Sequence, residues 1–364
     1  MSEQASAERN VLLAVDGSEH SQRAFDFYLS DLCKSGDHLI VFHAQEMPTL
    51  PAAPYPYFSM SVQPSGFSSS QNDPSVDIDG FAYYEEWQDV MKKVDEEAKA
   101  LLRHYGDVLK KREDIKFKLV KEGGKPGELI VKKAEDENAR MIVLGSRGQG
   151  AVRRTFLGSV SDYVAHHAHC AICVVPPEKR HYTCLGTRHN HNKYTHYHLI
   201  HYSLSAMASR REPSSLVLVA IDGSEYSDRV LRFYLSSLHK ETYTVGLVHC
   251  YENPDIVIRA SSLNSAKWDM DEIEKAFRRS WDRADYVMEQ SKKICEEYEV
   301  RHVKEFLEHA KEPGKAICSV AQQQKAILIV LGIRGRSLLC RTIMGSVSNY
   351  VVRHSIISAT LVVP

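Results

Sequence analysis

The chain lacks any apolar run of about 18 residues or more, and so lacks a segment of the kind that crosses a bilayer as a helix. It has almost no excess charge: 46 Lys and Arg stand against 47 Asp and Glu, for a formal net charge of -1. That balance leaves no electrostatic footprint for nucleic acid or an anionic membrane as the main partner. Cysteine is sparse, with 8 scattered over 364 residues, which excludes a disulfide scaffold of the secreted type. Met1 to Asn10 is polar and of mixed charge, without the apolar core of a signal peptide. A cytoplasmic location is therefore expected. What is present is ordinary for a soluble globular protein, 43% hydrophobic and 26% charged residues, with a length that allows two or three domains.

Internal similarity organises the rest. Leu12 to Glu19 (LLAVDGSE) is answered by Leu218 to Glu225 (LVAIDGSE), and Phe27 to Ser30 (FYLS) by Phe233 to Ser236. Val41-Phe42-His43 is answered by Leu247-Val248-His249, Lys125-Pro126-Gly127 by Glu312-Pro313-Gly314, and Leu157 to Ser161 (LGSVS) by Met344 to Ser348 (MGSVS). The offset between copies shortens between His43 and Lys125, which places an insertion in the first copy. Six of the 13 prolines lie between Pro48 and Pro74 among many serines, so the insertion, about 48–80, reads as a Pro/Ser-rich loop. Residues 1–177 form one domain, 178–214 a linker, and 215–364 a second domain. The linker holds six of the 18 histidines, including His189-x-His191 and His196-x-His198. Imidazole is a good metal ligand, but a solvated linker, with no neighbouring groups to fix the rings in place, is the favoured reading.

Each copy reads as alternating strands and helices. In the first, strands fall near Val11–Asp16, His38–Ala44, Ile115–Lys121, Met141–Gly145 and Ala171–Pro176, with helices over Ser21–Lys34 and Glu85–Lys111. The strands are short, rich in Val, Ile and Leu and apolar on both faces, the pattern of a buried parallel sheet. Pro126 and Pro313 sit where a helix begins, a position that needs no N–H. Alternation of this kind gives an α/β fold of two tandem doubly wound domains.

The fourth strand of each copy runs into a glycine-rich loop. Gly145-Ser146-Arg147-Gly148 is followed nine residues later by Gly158-Ser159, and Gly332-Ile333-Arg334-Gly335 by Gly345-Ser346. At average glycine usage the pattern arises by chance in roughly one chain in a hundred; here it occurs twice, after matching strands. Glycines let the backbone approach a bulky anion. The second half of each loop opens a helix whose free N–H groups and dipole favour negative charge. Ser159 and Ser346 can cap that helix or donate to a phosphate oxygen. Strand one ends at Asp16 or Asp222, and strand ends at a switch point are where ligands bind.

These loops and strand ends resemble the universal stress protein family, whose nucleotide-binding members carry a G-x-x-G-x9-G-(S/T) loop. The resemblance implies, in each copy, a five-stranded parallel sheet flanked by helices (an adenine nucleotide alpha hydrolase-like fold) with ATP in the crevice, with or without Mg²⁺. It implies that Asp16 and Asp222 contact the nucleoside or a metal-bound water. It places Ala14, Val15, Ala220 and Ile221 in the adenine pocket, and Ala44 and Cys250 against the base. Leu144, Gly145, Arg147, Gly148, Gly158, Ser159 and Val160 would hold ribose and phosphates in the first copy, and Leu331, Gly332, Arg334, Gly335, Gly345, Ser346 and Val347 in the second. Ile333 departs from Ser146 and is expected to narrow or reshape the second pocket. Family members pair through their last strands, so Ala171–Pro176 facing Ala359–Pro364 would give an intramolecular pseudo-dimer, with homodimerisation through the same strands as the alternative.

Other signals carry less. Gly123 to Gly127 (GGKPG) lacks the Lys-Ser/Thr pair of a Walker loop and reads as a strand-to-helix turn. Cys170-x-x-Cys173 opens a strand, where residues three apart face opposite ways, and reads as structural. His43 and His249 recur after the second strand without a nucleophile beside them, so hydrogen-bonded structural roles are favoured over general base. Asp16 and Asp222 could merely cap the next helix, and Arg153, Arg154, Arg334, Arg336 and Arg341 could pair with phosphate or be solvated. Three functions follow: an ATP- or adenine-nucleotide-binding stress sensor or regulator without enzymatic turnover, a slow Mg²⁺-dependent ATP hydrolase, or an interaction scaffold with one degenerate nucleotide site. The absence of paired carboxylates or a nucleophile–base pair favours the first.

Overall fold

The computed structural model describes residues 9–47, 78–147, 157–176, 215–252, 270–333, 344–355 and 358–362, with side chains described from 87 and 274 onward in the two longest helices and not in 358–362. The His-rich linker and most of the Pro/Ser-rich insertion lie outside these residues, as do Gly148, Arg153, Arg154, Arg334, Gly335, Arg336 and Arg341.

The first copy contributes β1 (Arg9–Ala14), α1 (Glu19–Phe27), β2 (Asp37–Gln45), α2 (Ile78–Leu109), β3 (Lys116–Gly123), α3 (Pro126–Asp136), β4 (Met141–Gly145), α4 (Ser159–His167) and β5 (Ala171–Val175). The second contributes β6 (Ser215–Ile221), α5 (Glu225–Ser237), β7 (Tyr243–Tyr251), α6 (Met270–Glu297), β8 (Val303–His309), α7 (Pro313–Gln323), β9 (Leu328–Gly332), α8 (Ser346–His354) and β10 (Ser358–Val362). Each copy forms a five-stranded parallel sheet, ordered β3-β2-β1-β4-β5 and β10-β9-β6-β7-β8. The two join through antiparallel pairing of β5 with β10, Cys173 opposite Thr360, into one ten-stranded sheet. The last strands thus meet within a single chain.

Side-chain alternation along the strands splits the core into two layers. Val11, Leu13, Val41 and Val143 face α1 and α2, while Leu12, Phe42, Ile142 and Leu144 face α3 and α4. Because β5 and β10 pair, both layers continue into the second copy, through Val217 and Val330 on one side and Leu218 and Ile329 on the other. Burying each such side chain contributes about 1.5–3 kcal/mol. Cys170 and Cys173 do face opposite layers. Burial pushes the Cys170 thiol up to about 12, against any redox use.

Four expectations need correction. β1 and β6 stop at Ala14 and Ile221, so Asp16 and Asp222 lie in the turns that follow and not in the strands. Gly17 and Gly223 have φ of 79° and 75°, which ends the extended backbone there. β3 is not apolar on both faces: it is an edge strand with Lys116 and Gly123 exposed. The first helix does not continue as α-helix to Lys34, because Tyr28–Leu32 is a π-turn in which Cys33 N–H donates to Tyr28 O at 2.7 Å. The long helix α2 begins at Ile78, inside the stretch read as loop.

The π-turn belongs to the contact between copies. It presents Asp31, whose carbonyl and carboxylate accept from Tyr243 Oη at 3.1 and 3.3 Å. Beside it Lys240 Nζ donates to Ser30 O at 3.3 Å and Arg9 Nη1 to Ser237 O at 2.6 Å.

Candidate functional site

Each crevice is built where β1 or β6 gives way to a helix beside the end of β4 or β9. The Asp-Gly-Ser turn is closed by the aspartate itself. Asp16 Oδ1 accepts the Ser18 N–H at 3.0 Å and its hydroxyl at 2.6 Å, and Asp222 Oδ1 accepts the same pair from Ser224 at 3.0 and 2.5 Å. Ser18 and Ser224 then cap α1 and α5, each accepting an N–H three residues on, from Ser21 and Ser227 at 3.2 Å. The aspartate is therefore a turn-closing residue that also lines the cavity.

The glycine loops are closed by the backbone at their second position. Ser146 O accepts from Gly158 N at 2.7 Å and from Ser161 Oγ at 2.9 Å; Ile333 O accepts from Gly345 N at 2.8 Å and from Ser348 Oγ at 3.1 Å. This corrects the reading of Ser159 and Ser346 as caps. The N-caps are Gly158 and Gly345, and the two serines are the first helical residues, while Ser161 and Ser348 stitch the turn. The N–H groups of Ser159, Val160, Ser346 and Val347 have no intrahelical acceptor, as in the first turn of any helix. These four residues line the cavities.

Glycine is required in these loops by space. A Cβ on Gly145 would lie 2.8 Å from the His20 backbone, and one on Gly345 3.0 Å from Ile333 O. Elsewhere Gly127 and Gly314 let α3 and α7 pack on Tyr163 and Tyr350, where a Cβ would approach to 2.8 Å. That confirms Pro126 and Pro313 as helix starts in a packing turn.

The first cavity has a volume of about 690 Å³ and the second about 830 Å³, within the range that takes a small ligand. The first is lined by every sequence-predicted residue of its copy among the described ones: Ala14, Val15, Asp16, Ala44, Leu144, Gly145, Arg147, Gly158, Ser159 and Val160. The second brings together Ala220, Ile221, Asp222, Cys250, Leu331, Gly332, Gly345, Ser346 and Val347. Ile333 is expected to narrow or reshape the second pocket, and it does line that cavity. It lies 8% exposed against the core, its backbone carbonyl closes the loop as that of Ser146 does, and the second cavity is the larger.

One wall was not foreseen. Val94, Glu97, Ala98 and Leu101 of α2 close the first cavity, and Arg279, Ser280, Arg283 and Ala284 of α6 close the second. No local motif marks them; only the packing of the long helix against the sheet brings them there. His43 and His249 also line the cavities, but each ring is tied by Nδ1 to a strand-end carbonyl, Val15 O or Ile221 O, at 2.8 Å. They are structural anchors for the adjoining strand.

The glycine loop of the first copy carries one cation at the cavity, Arg147, near a partly buried histidine, His20. Burial and then the Arg147 charge lower the pKa of His20. Among the described residues His20 Nδ1, Ser146 Oγ and Arg147 Nε are buried without a hydrogen-bond partner, and Arg147 lines the first cavity. In the second, Cys250 replaces Ala44; burial pushes its thiol up to about 12, so it is a neutral, weakly polar wall.

Residues 8–176 and 215–364 match the family model of the universal stress protein family. A universal stress protein of Thermus aquaticus, encoded in the QAH/OAS sulfhydrylase 3' region, is 32% identical over 171 residues, which are 46% of this chain and 98% of that protein. Universal stress protein Slr1101 of Synechocystis is 47% identical over 53 residues, 15% of this chain, and the match spans 49% of that relative's length. The crystal structure of a universal stress protein from Archaeoglobus fulgidus aligns over 97% of this chain and 95% of its own, with a TM-score of 0.49 and 18% identity. Among the described residues no helix is long and apolar enough to cross a membrane. With the family model matching both halves over the strands, turns and loops that build the two crevices, the chain belongs to the universal stress protein family.

Proposed function

We propose that the chain holds an adenine nucleotide in each crevice and acts in a stress response through that occupancy, as a sensor or regulator and not through rapid turnover. The observation that carries this reading is convergence. In both copies an apolar slot, a turn-closing aspartate and a helix N-terminus opened by glycine meet around one cavity. Adenine would lie against Val15 and Ala44, or Ile221 and Cys250. The phosphates would take the N–H groups of Ser159 and Val160, or Ser346 and Val347, with the helix dipole adding roughly half a positive charge. Arg147 would add a charge-assisted hydrogen bond in the first copy. Mg²⁺ carried by the nucleotide would neutralise phosphate charge near Asp16 or Asp222.

Occupancy without turnover fits the commitments of the polar groups. Oδ1 of each aspartate is held by a serine N–H and hydroxyl, and each cavity histidine has Nδ1 on a strand carbonyl. General base work needs a group poised on the attacking water. Pairing of β5 with β10 supports a monomeric chain whose two copies satisfy each other's edge. Titration calorimetry with ATP and Mg²⁺, run beside a phosphate-release assay, tests the reading. Binding with negligible release is expected; no heat at millimolar ATP would overturn it. Release abolished by Asp16→Ala with Asp222→Ala would favour the hydrolase instead.

A further inference from the structure

The two crevices differ in charge where the long helix closes them. Ala98, Leu102, Tyr105 and Leu109 are buried along α2, and Ala284, Met288, Ser291 and Cys295 are buried in the same order along α6. That register sets Glu97 of the first copy opposite Arg283 of the second, each one residue before the matched alanine. Both line their cavities. One turn earlier Arg279 also lines the second cavity, while among the described residues the first has no basic side chain from α2.

The wider lining follows the same sense. Asp16, Glu46 and Glu97 face the first cavity; Asp222 and Glu252 face the second, with Arg279 and Arg283 beside them. Arg147 adds one cation to the first cavity, so among the described residues three carboxylates face one guanidinium there, against two and two in the second. The cations differ in their commitments too. On α2, Lys99 bonds Asp95 at 2.8 Å and Glu96 at 2.9 Å, and Lys121 from β3 also pairs with Asp95. Arg279 and Arg283 are exposed and make no ion pair among the described residues. Two arginines one helical turn apart repel each other, and an anion bound between them relieves that repulsion. Their helix is held over the rim by Ser280 Oγ, which donates to Glu252 O at 2.7 Å. Exchanging a carboxylate for a guanidinium at the mouth of a concave site raises its affinity for polyanions.

We infer that the two crevices divide adenine nucleotides by charge, a proposal that rests on the nucleotide reading above. The second takes the triphosphate with its polyphosphate free of metal, held in part by Arg279 and Arg283. The first, with Glu97 and Glu46 at its mouth, takes it only when a divalent cation offsets the charge. This ranks the second crevice as the stronger triphosphate site in spite of Ile333.

Titration of the full chain with ATP and with AMP, in EDTA and then in Mg²⁺, tests it. Wild type is expected to bind one ATP per chain in EDTA and two in Mg²⁺. The double variant Arg279→Gln, Arg283→Gln loses charge-assisted hydrogen bonds, each worth about tenfold. It should weaken metal-free ATP binding at least tenfold while moving AMP affinity less than threefold. Glu97→Gln should raise metal-free ATP stoichiometry toward two. A metal-free ATP isotherm unchanged in the arginine variant, or an equal loss for AMP and ATP, overturns the proposal while leaving nucleotide binding intact. No binding of either nucleotide in either buffer would overturn the nucleotide reading as well. All three positions are exposed, so the variants are expected to fold, and thermal melts of each verify it.

Discussion

Arg353, in the last turn of α8, donates to Asp162 Oδ1 in the first turn of α4 at 2.6 Å, and its Nε donates to Asn349 Oδ1 at the same distance. A guanidinium of the second copy thus holds the helix that opens on the first copy's glycine loop. Both partners are partly exposed, 37% and 38%, so solvent screens the pair. A double-mutant cycle with Arg353→Ala and Asp162→Ala should give a coupling of about 0.2–1 kcal/mol that shrinks with added salt. A zero coupling at low salt would show that the contact orders nothing.

The opposite face of the contact between copies is buried. Asp37, 1% exposed, accepts from Arg9 Nε at 2.8 Å, Tyr28 Oη at 2.9 Å and Lys34 N at 3.0 Å. Burial, followed by the Asp37 charge, drives the Tyr28 phenol far above its ordinary range, so it serves as a donor throughout. Asp37→Asn leaves the Arg9 charge uncompensated and should destabilise the chain by about 3–5 kcal/mol. Tyr28→Phe removes one hydrogen bond and should cost about 1 kcal/mol. Urea denaturation checks both; equal effects of the two changes would contradict a buried charge pair.

Gly145→Ala sets a methyl 2.8 Å from the backbone of His20, which no side-chain rotation relieves. Overpacking of this kind costs typically 1–3 kcal/mol. Because β4 and the start of α1 are both walls of the first crevice, its nucleotide affinity should fall with stability, while the second crevice keeps its own. Stoichiometry in Mg²⁺ should drop from two toward one. An unchanged count would mean that this close approach does not shape the site.

Folding should weaken on mild acidification through His239. Burial lowers its pKa from 6.5, with Lys34 across the contact between copies as the next cause. A histidine with a depressed folded pKa binds fewer protons folded than unfolded below pH 6.5. Its contribution is therefore complete above that value and is lost as pH falls through the window beneath it. His239→Gln should flatten the acid side of the urea midpoint between pH 7.5 and 5. Identical slopes in variant and wild type would exclude this linkage.

What was legible in the sequence was what local chemistry demands. Pro126, Pro313 and the glycine loops each mark a turn or a close approach whose geometry depends on a few adjacent residues, and these lead directly to the two crevices; the turns at Gly17 and Gly223 emerge only from the structure. The apolar runs of β1, β4, β6 and β9 need burial on both faces and so announce a central parallel sheet. The π-turn at Tyr28–Leu32 was not legible, because its sequence matches Tyr234 to Leu238 closely and the difference arises in the contact with Tyr243 and Lys240. Nor was the helical wall: Glu97 and Arg283 enter a site only through the packing register of α2 and α6. Ser159 and Ser346 were misplaced by one position, since a glycine with β-region backbone can serve as N-cap when a serine at N3 supplies the hydroxyl.

The most direct test of the central claim is the number of adenine nucleotides bound per chain at saturation with ATP and Mg²⁺, read by titration calorimetry and by native mass spectrometry of the same sample. Two are expected, one in each crevice. A chain that stays empty at millimolar ATP would contradict the account.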